Sequence, residues 1–308
     1  MLKKILRLQS GLLASILLFS SCGGGGSPPP GVGAEPRVVI NTPYASGETV
    51  FTDGNSTIDA SNAESGYVMV SHTQSDERIK FQVITPKERS YNYDLVCDGE
   101  YSVFPLSEGS GKYTLRFMQN VDGSKYAEVF SAAIDAELLD ETTPFLYPNQ
   151  RVNYDGKSLA VAKSGELTAG MTSELDKIEA IYKYVTKNIS YDEGKASSVQ
   201  AGYISDPDST LQTGTGICLD YAVLVAVMLR VQEIPVKVIY GKVAPHGGSH
   251  AWNLIYTKES GVIAVKLSFD AGSWKLVDAT YGAEGSVYEK DIEKFIGNGT
   301  GYTQEFVY

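Results

Sequence analysis

One stretch constrains this chain more than any other. Residues 219–230 (LDYAVLVAVMLR) are apolar nearly all round, so a helix there has no face for water and must be covered on every side. The run is too short to cross a bilayer, which takes about 20 residues. Other elements must therefore be wrapped around it. With 308 residues, 43% of them hydrophobic and 20% charged, the chain has the material to do so, and wholesale disorder is excluded.

The flanks suggest what covers the helix. Pro235 stops it, and residues 236–240, 249–256, 262–267 and 274–279 read as strands. Upstream, Ser173-Glu174-Leu175-Asp176 has the early acids of a helix start. Ile178, Ile181, Tyr182, Val185 and Ile189 then lie on one helical face. A polar loop is expected from Ser190-Tyr191-Asp192 to about Leu211. A buried helix on an antiparallel sheet is an α+β arrangement.

The preceding residues follow a different period. Short alternating runs recur at 37–41, 48–52, 66–72, 78–84, 91–96, 101–105, 112–119 and 125–134, separated by turns such as Asp53-Gly54-Asn55 and Asp98-Gly99. Short strands at intervals of about ten residues predict an antiparallel, immunoglobulin-like β-sandwich. Cys97 and His72 fall here with no clustered ligands, and His72 reads as structural. Residues 138–156 carry two prolines and no clear period. The expected organisation is a leader at 1–21, a tether at 22–36, a β-sandwich at 37–137, a linker at 138–156 and an α+β domain at 157–308.

The leader has a basic start (Lys3, Lys4, Arg7), the apolar run GLLASILLF and small residues before Cys22. These are the parts of a secretory signal. Ser20-Ser21-Cys22 resembles the bacterial lipobox, which implies diacylglycerol on the Cys22 thiol. A Gly- and Pro-rich stretch follows, flexible and then stiff. The expected location is the cell envelope or surface, with the membrane reached through the lipid anchor. The formal charge is −11, although the first 22 residues hold three cations and no acid. A strongly acidic body with no basic stripe argues against nucleic acid as a partner. No Walker loop, dinucleotide fingerprint or spaced metal ligands appear, so no cofactor or metal is expected.

The chemistry centres on Cys218. Gly214 and Gly216 allow a sharp turn before it, and a cysteine in the first turn of a helix sits at the positive end of the dipole, which favours thiolate. Backbone N–H groups of that turn are available to an oxyanion. His250 and Asp278 lie in two of the expected strands. If these pair, imidazole and carboxylate are neighbours above the helix start, the Cys–His–Asp arrangement of thiol acyl transfer. His246 is a rival base in a Gly-rich loop. Asn253 falls on the opposite strand face from His250. Trp252 and Trp274 read either as walls of the site or as core. A Cys97–Cys218 disulfide is open to an exported chain, though the two cysteines lie in different halves.

Gly216-x-Cys218-x-Asp220-Tyr221-Ala222, Arg230 with Ile234-Pro235-Val236 and Gly241, His250-Ala251-Trp252-Asn253, and Trp274 with Val277-Asp278-Ala279-Thr280 together resemble the transglutaminase-like core, as does Ile189-Ser190-Tyr191-Asp192 upstream. The resemblance covers about residues 173–282. It implies a papain-like fold with Cys218 as nucleophile, His250 as general base and then acid, and Asp278 orienting the imidazole. The stretch between His250 and Asp278 is longer than usual for the family and is expected to form a hairpin over 258–272. The second oxyanion donor stays open between Gln212, six residues before Cys218 as in papain-like peptidases, and Tyr191, near where transglutaminases place an aromatic donor. The substrate is expected to be a protein, peptide or cell-wall amide, attacked through a Cys-thioester. Hydrolysis is the first expectation. Protein cross-linking, or a surface binding protein that keeps the fold without turnover, are the alternatives.

Overall fold

The computed structural model describes residues 36–73, 75–244, 248–264, 266–283 and 299–308. Cys22, the leader and nearly all of the tether lie outside these residues, as does His246. The β-rich half is built from β1 (Val50–Asp53), β2 (Ser56–Asp59), β3 (Tyr67–His72), β4 (Ile79–Ile84), β5 (Ser90–Asp94), β6 (Ser102–Pro105), β7 (Gly111–Asp122) and β8 (Lys125–Ala136). They form two four-stranded antiparallel sheets, ordered β1-β2-β3-β6 and β5-β4-β7-β8. Alternation does the packing: in β7 the side chains of Tyr113, Leu115 and Phe117 are buried while those between them are not. Phe81 of one sheet meets Phe104 of the other at 4.7 Å between ring centroids. The sheets thus share one apolar core. Immunoglobulin-like order would send the third strand to the opposite sheet; here the first three strands form a meander within one. His72 is buried in β3, and its Nδ1 lies 3.0 Å from the Ser56 hydroxyl on β2.

The second half runs through α1 (Leu159–Leu167), α2 (Glu174–Asn188), β9 (Ser190–Tyr191), α3 (Glu193–Ser198), α4 (Pro207–Thr213), β10 (Thr215–Gly216) and α5 (Cys218–Arg230). After these come β11 (Val236–Val243), β12 (Ser249–Thr257), β13 (Gly261–Val262), β14 (Ser268–Phe269), β15 (Ser273–Val277) and β16 (Tyr302–Val307). Every residue of α5 from Asp220 to Arg230 is buried. The helix packs against β11 and β12 of an antiparallel sheet ordered β15-β12-β11-β16, and against α1, α2 and α4. Asn253 ties sheet to helix, donating from Nδ2 to the Ala222 carbonyl at 3.0 Å.

Several expectations are corrected. Residues 37–41 are not a strand of the β-rich half. Val39 N–H donates to the Val231 carbonyl at 2.8 Å, and Val38 and Ile40 pack on the core around α5. The polar loop after Asp192 contains α3 and α4, each capped by an aspartate, Asp192 and Asp206. Residues 262–267 do not form one strand. Ile263 and Leu267 close a tight turn with Lys266 at φ +61°, and only β13 and β14 pair across it. The stretch 138–156 is packed, with Phe145 and Val152 buried. Tyr308 packs against both main cores, and Ala34–Tyr308 is one compact unit.

Candidate active site

Cys218 is the first residue of α5, and its position is fixed from both sides. Gly214 ends α4 in the left-handed region, φ +66°. At Gly216 the reason for glycine is space rather than φ, because a Cβ there would come within 2.7 Å of the Asp220 Cβ. That closeness lets the buried Asp220 carboxylate accept the Ile217 N–H at 2.9 Å, satisfying a donor that the helix itself leaves free. The same carboxylate holds Lys195 Nζ at 2.6 Å and the Tyr203 hydroxyl at 2.8 Å. Lys195 also sits 4.6 Å over the Tyr203 ring. Asp220 therefore fastens α3 and the loop after it to the start of α5.

The segment before α3 is placed by β9 and β10, a two-residue parallel pair that sets Tyr191 beside Gly216. The Tyr221 hydroxyl donates to the Ile189 carbonyl at 2.5 Å from below. Tyr191 consequently borders the same cleft as Cys218. Burial and then the nearby Cys218 push its phenol up to about 12, so it keeps its O–H and can donate. Gln212 is exposed and lies outside the cleft lining.

His250 and Asp278 come together through the sheet. β12 and β15 pair antiparallel with Asn253 opposite Val277, which places Asp278 just past the end of β15. His250 Nε2 lies 2.7 Å from Asp278 Oδ2, with both residues buried. Asp278 is saturated: Oδ1 accepts the Thr280 and Tyr281 N–H groups at 3.0 and 3.3 Å, and Oδ2 also accepts the Tyr302 hydroxyl at 3.0 Å. Burial pushes the Tyr302 phenol far above its ordinary value, so it remains a donor. A carboxylate so surrounded can only accept, so Nε2 carries the ring proton and Nδ1 is left for Cys218. Burial alone would lower the imidazole. The facing Asp278 and then Cys218 outweigh that and raise it to about 10. Rings on either side keep it in plane, Tyr281 at 5.0 Å and Trp252 at 6.2 Å, both stacked.

The structure thus brings Cys218, His250 and Asp278 together, and adds Tyr302, Asp220 and Lys195, which sequence reasoning did not single out as site residues. Tyr302 arrives on β16, which pairs with β11 through a register shift at Tyr240/Gly241. The remaining candidates do not reach the reacting atoms, and Trp252 bears on them only by stacking on His250. Asn253 is a structural tie. Neither Trp252 nor Trp274 borders the cleft; Trp252 packs in a small core with Phe145 and Val307, and Trp274 against its edge. Cys97 and Cys218 are free thiols. Burial and then Asp98 push the Cys97 thiol up, which makes it a poor nucleophile.

The cleft has a volume of about 390 Å³. Its walls include Tyr191, Tyr203, Tyr240, Phe306 and Tyr308, and its one charged lining residue among those described is Arg151.

Residues 161–279 match the transglutaminase-like superfamily. A UPF0252 protein of Methanocaldococcus jannaschii is 40% identical over 57 residues, 17% of this chain and 16% of that protein. Among solved structures, a candidate cysteine protease from Cytophaga hutchinsonii aligns over 77% of this chain and 73% of its own at 14% identity and a TM-score of 0.40. Red sea bream transglutaminase aligns over 70% of this chain at 12% identity and a TM-score of 0.31, and this chain spans about half (48%) of its length.

Proposed function

Residues 161–279 form a transglutaminase-like domain, and from that premise we propose that the chain is a thiol-dependent amidase or peptidase acting through a Cys218 thioester. The observation that carries the reading is the buried 2.7 Å His250–Asp278 pair acting on a cysteine at a helix start that opens on a cleft. In the first step the Cys218 sulfur attacks an amide carbonyl. The tetrahedral oxyanion is met by N–H groups of the first turn of α5 and by the Tyr191 hydroxyl. His250 then gives its Nδ1 proton to the departing amine as the C–N bond breaks. Water, activated by the neutral imidazole, attacks the thioester, and the acid leaves with the thiol restored. Water rather than a lysine amine is the acceptor we assign. No carboxylate lines the described cleft, and Arg151 repels an incoming ammonium.

The test is alkylation of Cys218 across pH, read at its peptide by mass spectrometry. With burial outweighed by Asp278 and then Cys218, which raise its imidazole to about 10, His250 is a cation beside the Cys218 sulfur throughout the neutral range, which favours reaction as the thiolate. Cys218 should therefore react with iodoacetamide at pH 6.5 about 10- to 100-fold faster than an ordinary thiol, which titrates near 8.5. His250→Ala should return it to the ordinary profile. A wild-type rate that merely follows an ordinary thiol would leave the domain as a binding module.

The leader suggests that the body is presented at the cell envelope on a lipid attached to Cys22. Among the described residues no helix is long and apolar enough to cross a membrane. Cys22→Ser should move the protein from the detergent phase to the aqueous phase in a Triton X-114 partition; unchanged partitioning would refute the anchor.

A further inference from the structure

Arg151 is a cation without an anion. It borders the same cleft as Cys218, and no carboxylate pairs with it among the described residues. The one acceptor its donors reach there is the Tyr203 carbonyl, 3.4 Å from Nη1, at the long limit of a hydrogen bond. Its Nε is shut off from solvent with no acceptor. The guanidinium lies over two rings, with its carbon 5.6 Å from the Tyr308 centroid and 5.9 Å from that of Tyr93. Stacking of this kind fixes the plane of the fork while leaving its edge free to meet a carboxylate. Arg230, by contrast, spends its donors on three carbonyls at 2.7 to 3.1 Å; Arg151 has one long contact, two aromatic faces and a cavity.

The cavity strengthens the case. Tyr191, Tyr240, Phe306 and Tyr308 add aromatic surface to walls that are otherwise mostly aliphatic, and a charge interaction is worth more against such walls than in water. At about 390 Å³ it is small enough that a carbonyl at Cys218 and a group at Arg151 belong to the same or neighbouring residues of one bound molecule. We propose that Arg151 is the specificity-determining residue of this cleft and that the substrate is an amide bearing a carboxylate close to the scissile bond, such as a peptide with a free C-terminus or an acidic residue next to it. The proposal rests on Cys218 being the nucleophile.

Matched alkylators separate the two claims. N-bromoacetylglycine and N-bromoacetylglycinamide differ only in the charge of one group, and a longer pair made from 6-aminohexanoic acid moves that group outward. In each, the Cys218 sulfur forms a bond to the acetyl carbon as bromide leaves. Rates are read at the Cys218 peptide of the full chain. The ratio of acid to amide cancels the intrinsic reactivity of the thiol, and comparison with the variant cancels the attraction of the His250 imidazolium. We expect the ratio in the wild type to exceed that in Arg151→Met by about tenfold at one of the two lengths, with Arg151→Lys in between. Equal ratios in wild type and Arg151→Met at both lengths would overturn the proposal. If the amide reagents label Cys218 only at an ordinary thiol rate while the ratio still depends on Arg151, the nucleophile reading fails and the anion site stands. Should Arg151→Met fail to fold, because Tyr93 and Tyr308 lose their stacking partner, the wild type decides. N-acetylglycine, but not N-acetylglycinamide, should then slow labelling by the neutral reagent, and equal protection by both would refute a carboxylate site.

Discussion

Cys218→Ala is expected to lower amide cleavage by about four to six orders of magnitude while leaving the fold in place. The assay is release of new amino termini from a peptide mixture that includes free C-terminal carboxylates. The side chain is small, half-buried and at the first position of α5, so alanine should cost about 1 kcal/mol or less. His250→Ala should do nearly as much damage, since the thiolate loses its counter-ion and the leaving amine its acid. Asp278→Asn is the more informative change. The amide oxygen can still accept the Thr280 and Tyr281 N–H groups that Asp278 Oδ1 accepts now. Its NH₂ then faces His250 Nε2, which has to become the acceptor, and the ring proton moves to Nδ1. The neutral ring would then hold its one proton on Nδ1 and could take none from the thiol or from the water that attacks the thioester, a loss of about 10⁴ with little change of shape. Cleavage that survives in Cys218→Ala would end the assignment. Cleavage that survives only in Asp278→Asn would end the tautomer argument and keep the nucleophile.

Why the triad was legible and its supports were not has a physical reason. The residues 219–230 can fold in one way only, as a covered helix, and that fixes where Cys218 must be. Period two in the strands around His250 and Asp278 puts each on a known face, and an antiparallel pair follows. These are local patterns. Tyr302 reaches Asp278 across 24 residues and Lys195 reaches Asp220 across 25, and nothing in the neighbourhood of either residue announces its partner. Asp220 did carry a signal. An acid in an otherwise apolar, fully buried helix must be satisfied by something, and at its third position the free N–H groups of the helix start are within reach. Residues 37–41 misled for the opposite reason. Their alternation is genuine, but it serves the core around α5 rather than a sheet next in sequence. The run at 262–267 is β-branched and apolar enough for a strand, yet the left-handed Lys266 turns it back on itself.

Arg230→Ala should be the most destabilising single change in the described chain, about 3–5 kcal/mol. The residue ends α5 and is wholly buried. Burial pushes its guanidinium down to about 10, which leaves it charged at neutral pH. No carboxylate pairs with it among the described residues. Three carbonyls hold it instead: Val236 takes Nε at 3.1 Å and Nη2 at 2.7 Å, Tyr147 takes Nη1 at 2.8 Å and Tyr308 takes Nη2 at 3.0 Å. Those three come from β11, from the stretch 138–156 and from the residue after β16, so one side chain joins segments far apart in sequence to the C-terminal end of the helix, where a cation also suits the dipole. Alanine removes every one of these bonds and opens a cavity, although the Tyr308 carbonyl keeps the Val238 N–H at 2.8 Å. Arg230→Met separates the effects, because it fills most of the volume and removes the buried charge but still takes the guanidinium donors away from the carbonyls. It should cost about 1–3 kcal/mol. The measurement is the urea midpoint at unchanged slope. A midpoint for Arg230→Ala within about 1 kcal/mol of wild type would mean that water replaces the guanidinium, and that β16 is held by its ladder to β11 alone. A large loss would mean that the strand carrying Tyr302 to Asp278 is pinned from the far end of the helix that begins with Cys218.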